Sequence, residues 1–338
     1  MRDGRDAARR ATQRGAAPAL VVRGLTVTFA AGRATLTAVD GIDFEIASGE
    51  VLGLVGESGA GKSLSGAAIL GLVDAPGRVA GEVWLDGRRI DTLDPAAKRR
   101  LRGREIGAIF QDPLTALDPL FTIGDQLAET LRTHFRLAPD EARREAVALL
   151  QEVGIPGAAA RYSQYPHQFS GGMRQRVVIA LALAGEPSLL VADEPTTALD
   201  VSIQAQIVAL LGRLARERGM AILLVTHDMG VIASVADRIA VMYAGRIVET
   251  GTAAEVIARP RHPYTKGLMA SIPSLADDRA RLAQIDGAMP RLGAVPAGCA
   301  FHPRCGVALE RCTRERPVLV ADAAGGAGAT ACWRLADG

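Results

Sequence analysis

The residues best suited to chemistry form a glycine-rich segment, GESGAGKS, at Gly56–Ser63. It fits the pattern G-x-x-x-x-G-K-S, follows an apolar run at residues 50–55 and precedes a helical pattern at residues 64–73. Glycines let a backbone approach a ligand closely, and the N–H groups at a helix N-terminus attract anions. In such a loop Lys62 would face the β- and γ-phosphates of a nucleotide, and Ser63 would ligate Mg²⁺. The predicted nucleotide-binding residues are Gly56, Glu57, Ser58, Gly59, Ala60, Gly61, Lys62 and Ser63.

Lys62 is expected to be exposed, because it lies in a loop, and therefore to contribute little to the core.

Two adjacent carboxylates, Asp193 and Glu194, follow another apolar run at Ser188–Ala192, which is typical of a buried parallel strand. Asp193 matches a residue that holds Mg²⁺ through water. Glu194 is placed to polarise the water that attacks a phosphate. Acidic residues also favour helix N-termini, so the pair alone leaves a capping role open.

Two further motifs lie on either side of this acid pair, FSGGMRQR at Phe169–Arg176 and PTTALD at Pro195–Asp200. With the phosphate loop they resemble the ATP-binding-cassette (ABC) ATPases. The first resembles the superfamily signature L-S-G-G-Q, with Phe169 in place of leucine and Met173 in place of glutamine. The second matches the D-loop. Because the Ser-Gly-Gly core is intact, the phosphate-facing part of the signature is expected to be preserved.

Three single residues gain a function only from this resemblance. Gln111 matches the Q-loop, His227 matches the H-loop after an apolar strand, and Phe29 matches the aromatic residue that stacks on adenine. Taken alone, each has an ordinary structural reading as a strand or strand-end residue. The resemblance implies Glu194 and His227 as catalytic residues, and Ser63, Gln111 and Asp193 around Mg²⁺. It adds to the nucleotide-binding set Phe29, Gln111, Ser170, Gly171, Gly172 and Asp200.

The resemblance covers about residues 20–335 and implies an α/β fold. The expected parts are a parallel-sheet core with the phosphate loop, an antiparallel β lobe, a helical subdomain that carries the signature, and a C-terminal extension. The expected boundaries are 1–18 for a disordered basic extension, 19–258 for the cassette with its helical subdomain at about 112–185, and 259–338 for the C-terminal extension. Apolar and turn patterns predict lobe strands at 21–29 and 44–50, parallel strands at 51–55, 106–110, 188–192 and 221–226, hairpin turns at 86–87 and 244–245, and helices at 140–153 and 203–217.

The C-terminal region resembles one branch of the superfamily, the oligopeptide/dipeptide importers, through RHPYTK at residues 261–266 and GCAFHPRC at residues 298–305. All four cysteines lie in this region, which in a cytosolic chain favours metal or cluster ligation over disulfides. Because some members of this branch carry an iron–sulfur cluster here, a [4Fe–4S] cluster is the leading interpretation. A zinc site and a set of reduced structural thiols are the alternatives. The residues concerned are Cys299, Cys305, Cys312 and Cys332.

The resemblance also implies partners. Two cassettes would pair head to tail, each ATP lying between one subunit's phosphate loop and the other's signature. The second cassette is expected to be a distinct homologue, and two membrane permeases and an extracytoplasmic solute-binding protein would complete the importer. The chain would then lie peripherally on the cytoplasmic face of the plasma membrane. No segment approaches the ~20 apolar residues of a membrane span, so a transporter subunit of this kind would need membrane-embedded partners.

The composition bears on the alternative functions. A net charge of +2 gives no argument for a nucleic-acid partner. A soluble ABC ATPase acting on nucleic acid or ribosomes stays an alternative, although such proteins usually have tandem cassettes, a coiled-coil insertion or a strongly basic surface. Within the importer branch, nickel and glutathione are alternatives to a peptide as the solute. Residues 1–18 lack the apolar region of a signal peptide.

Overall fold

The protein is described by a computed structural model that covers residues 18–32, 34–197, 199–272, 284–321 and 328–336. The expected basic extension therefore lies almost wholly outside the described residues. The chain forms two compact units. The first takes in the chain up to Leu20 with residues 46–50 and 84–223, and the second takes in residues 21–45, 51–83 and the chain from Leu224 onward. The phosphate loop and the C-terminal extension thus belong to the same unit.

The first unit contains a pair of parallel strands, β6 and β7. They pair in the register Ile106↔Leu189 to Ile109↔Ala192, and their apolar side chains are almost all buried, as expected of strands covered on both faces. The amide of Ala221, at the start of β8, donates to the carbonyl of Ser188, just before β7. The strand bounds in this unit are β5 Arg88–Arg89, β6 Ile106–Ile109, β7 Leu189–Asp193 and the first half of β8 Ala221–Thr226.

Seven helices in the described part of the first unit precede these strands or lie between them along the chain. Helix α1 belongs to the second unit, so these helices are numbered from α2 in chain order. Their bounds are α2 Pro95–Leu101, α3 Pro113–Ala116, α4 Ile123–His134, α5 Pro139–Glu152, α6 Ala158–Arg161, α7 Gly171–Leu183 and α8 Val201–Arg218. Helix α4 begins where the Thr122 hydroxyl accepts from the Asp125 amide at 3.2 Å, a normal N-cap. Helices α4 and α5 bury Leu127, Leu131, Ala146 and Leu150.

The second unit contains a β lobe in which three strands lie in the order β2-β1-β4. The Gly24 amide donates to Asp43 and the Gly41 amide to Thr26, so β1 and β2 run antiparallel. The predicted strand at 44–50 is wrong in its bounds. Strand β2 ends at Ile46, because residues 47–50 form a turn that Glu50 closes by accepting from the Ala47 amide. The bounds are β1 Leu20–Ala31, β2 Ala34–Ile46 and β4 Gly77–Leu85.

The same unit contains a mixed sheet in the order β11-β12-β10-β9-β3. Strand β3 pairs in parallel with β9, and the other neighbours are antiparallel. The C-terminal extension adds β12 to the edge strand β10, in the register Glu249↔Thr330. The strand bounds are β3 Val51–Val55, β9 Arg238–Tyr243, β10 Arg246–Thr252, β11 Val320–Ala321 and β12 Ala329–Thr330.

The helices of the second unit are short. They are α1 Lys62–Leu70, α9 Met229–Val235, α10 Ala253–Ala258, α11 Pro263–Ala270, α12 Arg311–Arg314 and α13 Trp333–Ala336. Helix α1 begins two residues earlier than predicted and ends at Gly71, whose φ of 64° stops the helix. Both predicted hairpin turns are confirmed, with positive φ at Asp86-Gly87 and at Ala244-Gly245. Within the described residues no helix is long and apolar enough to cross a bilayer.

Candidate active site

The phosphate loop lies in the second unit between β3 and α1. Its turns need glycine at two points. A Cβ on Gly56 would lie 2.2 Å from the Met242 carbonyl oxygen, and a Cβ on Gly61, whose φ is 103°, would lie 2.9 Å from the Ala38 carbonyl oxygen. Gly61 is also the N-cap of α1, and no side chain caps that helix. The helix therefore directs its positive end into the loop without a protein carboxylate at its cap.

Lys62 is buried, so the expectation of an exposed loop lysine is wrong. Only 5% of the residue is accessible to solvent. Its ammonium group donates to the carbonyl oxygens of Gly56 at 2.8 Å and Glu57 at 3.0 Å. The side chain thus curls back across the loop and holds its first turn, while Ser63, the next residue, is exposed. Lys62 brings a positive charge to the loop and also supports the conformation of the loop.

The first unit brings together Gln111 and Glu194, two of the predicted residues. Glu194 follows β7, and its carboxylate accepts from the Gln111 side-chain amide and from the Thr197 hydroxyl, both at 3.0 Å. Its backbone has φ of 47°, a left-handed conformation that costs a non-glycine residue about 1–3 kcal/mol. The strained turn and the two donors fix the carboxylate at the strand end. Thr197 was not predicted as a site residue, although it lies in the D-loop motif.

Asp193 is the last residue of β7 and is half-buried. The acid pair could have capped the next helix, but the structure shows a different residue at that N-cap. Helix α8 begins at Val201, and its N-cap is Asp200, whose carboxylate accepts from the Ile203 amide at 3.0 Å and from the Ser202 hydroxyl at 2.9 Å. These bonds lower the pKa of Asp200 below its usual value, the Ile203 amide most. Asp200, predicted to contact nucleotide, therefore has a clear structural role as a cap.

The signature residues form the N-terminus of α7 in the first unit. Ser170 is the N-cap, and its hydroxyl accepts from the Met173 amide at 3.4 Å. A Cβ on Gly172 would lie 2.5 Å from Ile203, and one on Gly171 would lie 3.4 Å from Leu199. The two glycines thus allow α7 to pack closely against the start of α8. Phe169 is buried, whereas Ser170 and Gly171 are exposed at the helix end.

His227 and Phe29 lie in the second unit. His227 follows β8 directly and is exposed, and Asp228 beside it caps α9. Phe29 is a half-buried residue of β1, and its ring lies 2.9 Å from the position of a Cβ on Gly77. Their roles toward nucleotide stay predictions.

Two residues of the C-terminal extension contact the phosphate loop and were missed. The Tyr264 hydroxyl accepts from the Glu57 amide at 2.8 Å, and the Arg304 guanidinium donates to both Glu57 carboxylate oxygens at 2.6 and 2.9 Å. No residue of this extension was expected to take part in the nucleotide site. Tyr264 lies within the HPYT element and Arg304 within GCAFHPRC, so the branch-specific motifs were the available signal.

The four cysteines line one cavity of the second unit, together with His262, Phe301 and Trp333. None forms a disulfide. Burial raises the pKa of the Cys299 thiol to about 11, and burial also raises the pKa of Cys332. Among the residues that the structure describes, no three or more His, Cys, Asp or Glu side chains are arranged to hold a single metal ion.

Comparisons with known proteins agree with these features. Residues 39–197 match the family described as ABC transporter, and residues 248–312 match the family described as oligopeptide/dipeptide transporter, C-terminal region. The chain is 48% identical over 296 residues to the dipeptide transport ATP-binding protein DppD of Escherichia coli (strain K12). The matched region covers 87% of this chain and 90% of that protein. The chain belongs to the ATP-binding subunits of ABC transporters, in the oligopeptide/dipeptide branch. It is an ABC-type transport ATPase.

Other relatives support the same family. DppD of Haemophilus influenzae is 48% identical over 301 residues, covering 89% of this chain and 91% of that protein. The ATP-binding cassette MJ0796, solved as a dimer in a post-hydrolysis state with ADP and Pi, superposes with a TM-score of 0.61 at 30% identity, over 69% of this chain and 98% of its own. CbiO1 of Clostridium perfringens, part of the ABC transporter complex cbiONQ, gives a TM-score of 0.62 at 29% identity, over 72% and 91%. The expected ABC cassette fold is confirmed.

Proposed function

We propose that this chain hydrolyses ATP to drive the import of di- or oligopeptides. One observation carries the proposal: the 48% identity to a dipeptide transport ATP-binding protein extends over 87% of the chain, and the branch-specific C-terminal region matches as well. The proposed domain boundaries are those predicted above, a cassette at 19–258 and an extension at 259–338. The extension shares a compact unit with the phosphate loop. The proposed boundary at 258 therefore separates two stretches of sequence and is not a boundary between compact units.

The loop residues would bind the triphosphate of ATP. The uncapped N-terminus of α1 and the buried Lys62 ammonium provide positive charge at one place. Ser63, Asp193 and Gln111 would hold Mg²⁺, which supplies charge neutralisation at the phosphates. Phe29 would stack on the adenine ring. These assignments rest on the matched motifs and on the loop geometry.

Glu194 would act as the general base, with His227 beside the γ-phosphate. The support is the geometry of its carboxylate, which the Gln111 amide and the Thr197 hydroxyl orient at 3.0 Å each. A base must be held in place to take a proton from an attacking water, and such proton transfer is typically worth ~10²–10⁴-fold in rate. Glu194 also makes contacts besides these two.

Two cassettes would pair head to tail, with the exposed signature helix end at Ser170 on the ATP of the partner. Two observations support pairing. The similar cassette MJ0796 is a dimer in its solved structures. Val201, which follows the D-loop, is 82% exposed and would be covered in such a pair. We propose that the partner is a distinct homologue, as is usual in this branch.

The other proposed partners are two membrane permeases and an extracytoplasmic solute-binding protein, with no nucleic acid. The chain would lie peripherally on the cytoplasmic face of the membrane. Three large apolar side chains near Gln111 are exposed and suit a contact with permease loops: Phe110 at 48%, Leu120 at 79% and Phe121 at 53%. Exposed apolar side chains of this size mark interaction sites when they occur together.

We propose that the cysteine cavity holds a [4Fe–4S] cluster, for which four thiolates are the usual ligand set. The support is that all four cysteines line one cavity. A Cys₄ zinc site needs sulfur atoms about 3.8 Å apart, since Zn–S bonds are about 2.3 Å long and tetrahedral. A larger cluster binds each thiolate through a different iron and needs no such close approach. The centre would cross-link residues 299–332 and serve a structural or redox-sensing role.

The cluster is tested on anaerobically purified protein. A brown protein with four irons per chain, whose visible absorbance is lost on Cys305→Ser substitution, is expected. A colourless protein with one zinc per chain, or one with four free thiols and no metal, would contradict the proposal. Cluster content is independent of the transport test, so the two proposals fail separately.

The import function is tested by uptake in vesicles that contain the reconstituted importer with its permeases and binding protein. Labelled dipeptide should accumulate only with ATP inside the compartment that this chain faces, and Glu194→Gln should abolish accumulation. Uptake of nickel or glutathione in place of peptides would refute the peptide assignment but keep the import function. ATPase activity that responds to nucleic acid or ribosomes, and not to the permeases, would refute import itself.

A further inference from the structure

The C-terminal extension contacts the phosphate loop at Glu57. The two terminal nitrogens of Arg304 donate to the two carboxylate oxygens of Glu57 at 2.6 and 2.9 Å. This paired geometry is the strongest form of an arginine–carboxylate contact. The Arg304 side chain is only 6% exposed and that of Glu57 is 30% exposed, so solvent screens the pair less than an ordinary surface ion pair.

Tyr264 fixes the backbone of the same residue. Its hydroxyl oxygen accepts from the Glu57 amide at 2.8 Å, and the residue is completely buried. Burial raises the pKa of Tyr264 far above its usual value, so the hydroxyl stays neutral at any physiological pH. Both the side chain and the amide of Glu57 are thus bound to the extension.

The two contacting residues are themselves firmly supported. Arg304 donates through Nε to the Asp286 carbonyl at 2.8 Å, and its guanidinium lies within 6 Å of the Tyr243 and Phe301 rings. Tyr243, Tyr264 and Phe301 pack against one another with ring centroids 4.7 to 5.4 Å apart. Groups held this rigidly can impose a conformation on a flexible loop, because little further entropy is lost when they bind it.

The contact reaches the phosphate-binding lysine through one residue. The Glu57 carbonyl oxygen accepts from the Lys62 ammonium at 3.0 Å, so Glu57 joins the extension to the group that faces the phosphates. We propose that Arg304 and Tyr264 are positioning residues that hold the phosphate loop in its nucleotide-binding conformation. The extension therefore contributes to ATP affinity without touching the nucleotide. This inference rests on the proposed role of Gly56–Ser63 as the phosphate loop.

A purely structural contact would have a different consequence. If the pair only anchored the extension, its loss would lower the melting temperature and leave the nucleotide affinity of the folded protein unchanged. If the pair positions the loop, the loop would spend less time in the binding conformation, and the apparent dissociation constant would rise by the inverse of that fraction.

The test measures Mg-ATP binding to the full-length chain by calorimetry, with the melting temperature of each variant recorded without nucleotide. Arg304→Gln should raise the dissociation constant about tenfold, of the order expected when a charge-assisted bond is lost. Arg304→Lys should recover part of the affinity, because it keeps the charge and loses the paired geometry. Glu57→Gln, which keeps the shape of the loop residue, should also weaken binding.

The double variant Glu57→Gln/Arg304→Gln should bind ATP no more weakly than whichever single variant has the lower affinity, because both changes remove the same interaction. The matched control is Arg314→Gln, in the same extension, where the arginine pairs with Glu310 and both side chains are at least 75% exposed. This control should bind ATP like the unaltered protein.

Unchanged affinity in Arg304→Gln and Glu57→Gln, an equal loss in the control, or additive losses in the double variant would each overturn the inference. Lys62→Ala in the same titration separates this failure from that of the proposed function. Normal ATP binding by Lys62→Ala would refute the phosphate loop itself. Weak binding by Lys62→Ala with normal binding by Arg304→Gln would refute only the positioning role.

Discussion

Acidification should destabilise the C-terminal extension through one buried histidine, His262. The residue is 2% exposed and is the N-cap of α11, where Nδ1 accepts from the Tyr264 amide at 3.0 Å. Burial disfavours the charged ring more than a hydrogen bond with the backbone of Ala331 favours it. Burial lowers the pKa of His262 from 6.5 to about 4. Glu249 accepts hydrogen bonds from the backbone amides of Arg261 and His262, at 2.8 and 2.9 Å.

The sign of the effect follows from the direction of this pKa shift. Between pH 6.5 and pH 4 the unfolded chain binds a proton at this histidine and the folded chain does not, so stability falls as the pH falls. With these two pKa values, linkage gives a loss of about 0.8 kcal/mol at pH 6, about 2 kcal/mol at pH 5 and about 3 kcal/mol at pH 4, relative to neutral pH. The loss is absent above about pH 7.5.

The assay needs a probe confined to the extension, and the chain offers one. Of the two tryptophans, Trp333 lies beside the cysteine cavity and Trp84 lies in the first unit. In a Trp84→Phe background, urea unfolding followed by tryptophan fluorescence reports the extension alone. The control variant is His262→Asn, whose amide oxygen can still cap α11 but does not titrate. It should be less stable at neutral pH, because ring packing is lost, and less sensitive to pH.

The difference between the two proteins isolates the histidine, because all carboxylates titrate in both. The stability gap should narrow by about 2 kcal/mol between pH 7.5 and pH 5. Parallel pH curves for the two proteins would show that His262 takes up its proton equally in the folded and unfolded states, and would rule out the predicted pH dependence.

Three further predictions concern the loop, the permease contact and the thiols. Lys62→Ala should abolish most Mg-ATP binding in calorimetry and should also lower the melting temperature, because the buried ammonium holds two loop carbonyls. An unchanged melting temperature would show that Lys62 does not support the conformation of the loop. Leu120→Ser with Phe121→Ser should reduce peptide uptake far more than basal ATPase activity, whereas Val79→Ser, an exposed apolar residue elsewhere, should change neither; equal loss of uptake and ATPase would refute a coupling role. In metal-free protein, alkylation of Cys299 at pH 7.5 should be about 100-fold slower than for a thiol of pKa 9.0 and should rise toward pH 11; a normal rate in the peptide mass spectrum would refute burial of this thiol.

Much of the fold was predictable from the sequence because its strands are short apolar runs bounded by clear turn residues. Asp86-Gly87 and Ala244-Gly245 predicted both hairpins, since these pairs adopt the positive φ that such turns require. The strand at 44–50 failed, because its apolar residues continue a strand that begins at Ala34 and ends before a turn. Pattern alone does not show where a hydrogen-bonded turn interrupts an extended run.

The site was predictable where a motif specifies it, and not where it depends on long-range contacts. The link between Gln111 and Glu194 joins two motifs 83 residues apart; both residues were predictable from their motifs, whereas the hydrogen bond between them was not. The contact of Arg304 with Glu57 spans 247 residues, so no local pattern could indicate it. The burial of Lys62 was missed for a different reason, because its contacts are local. A loop residue is usually exposed, but here the ammonium turns inward to two carbonyls of its own loop.

We propose that Glu194 makes this chain a hydrolytic ATPase within an importer. The most direct measurement is ATP hydrolysis by the assembled importer in vesicles, with the site of the partner cassette silenced, for Glu194→Gln and for the control Glu145→Gln, which alters an exposed glutamate of helix α5. Glu194→Gln should bind Mg-ATP normally and lower the turnover rate by ~10²–10⁴-fold, because the amide keeps the contacts to Gln111 and Thr197 but accepts no proton from water. Glu145→Gln should hydrolyse ATP at the unaltered rate. Near-normal hydrolysis by the Glu194→Gln importer would contradict the account.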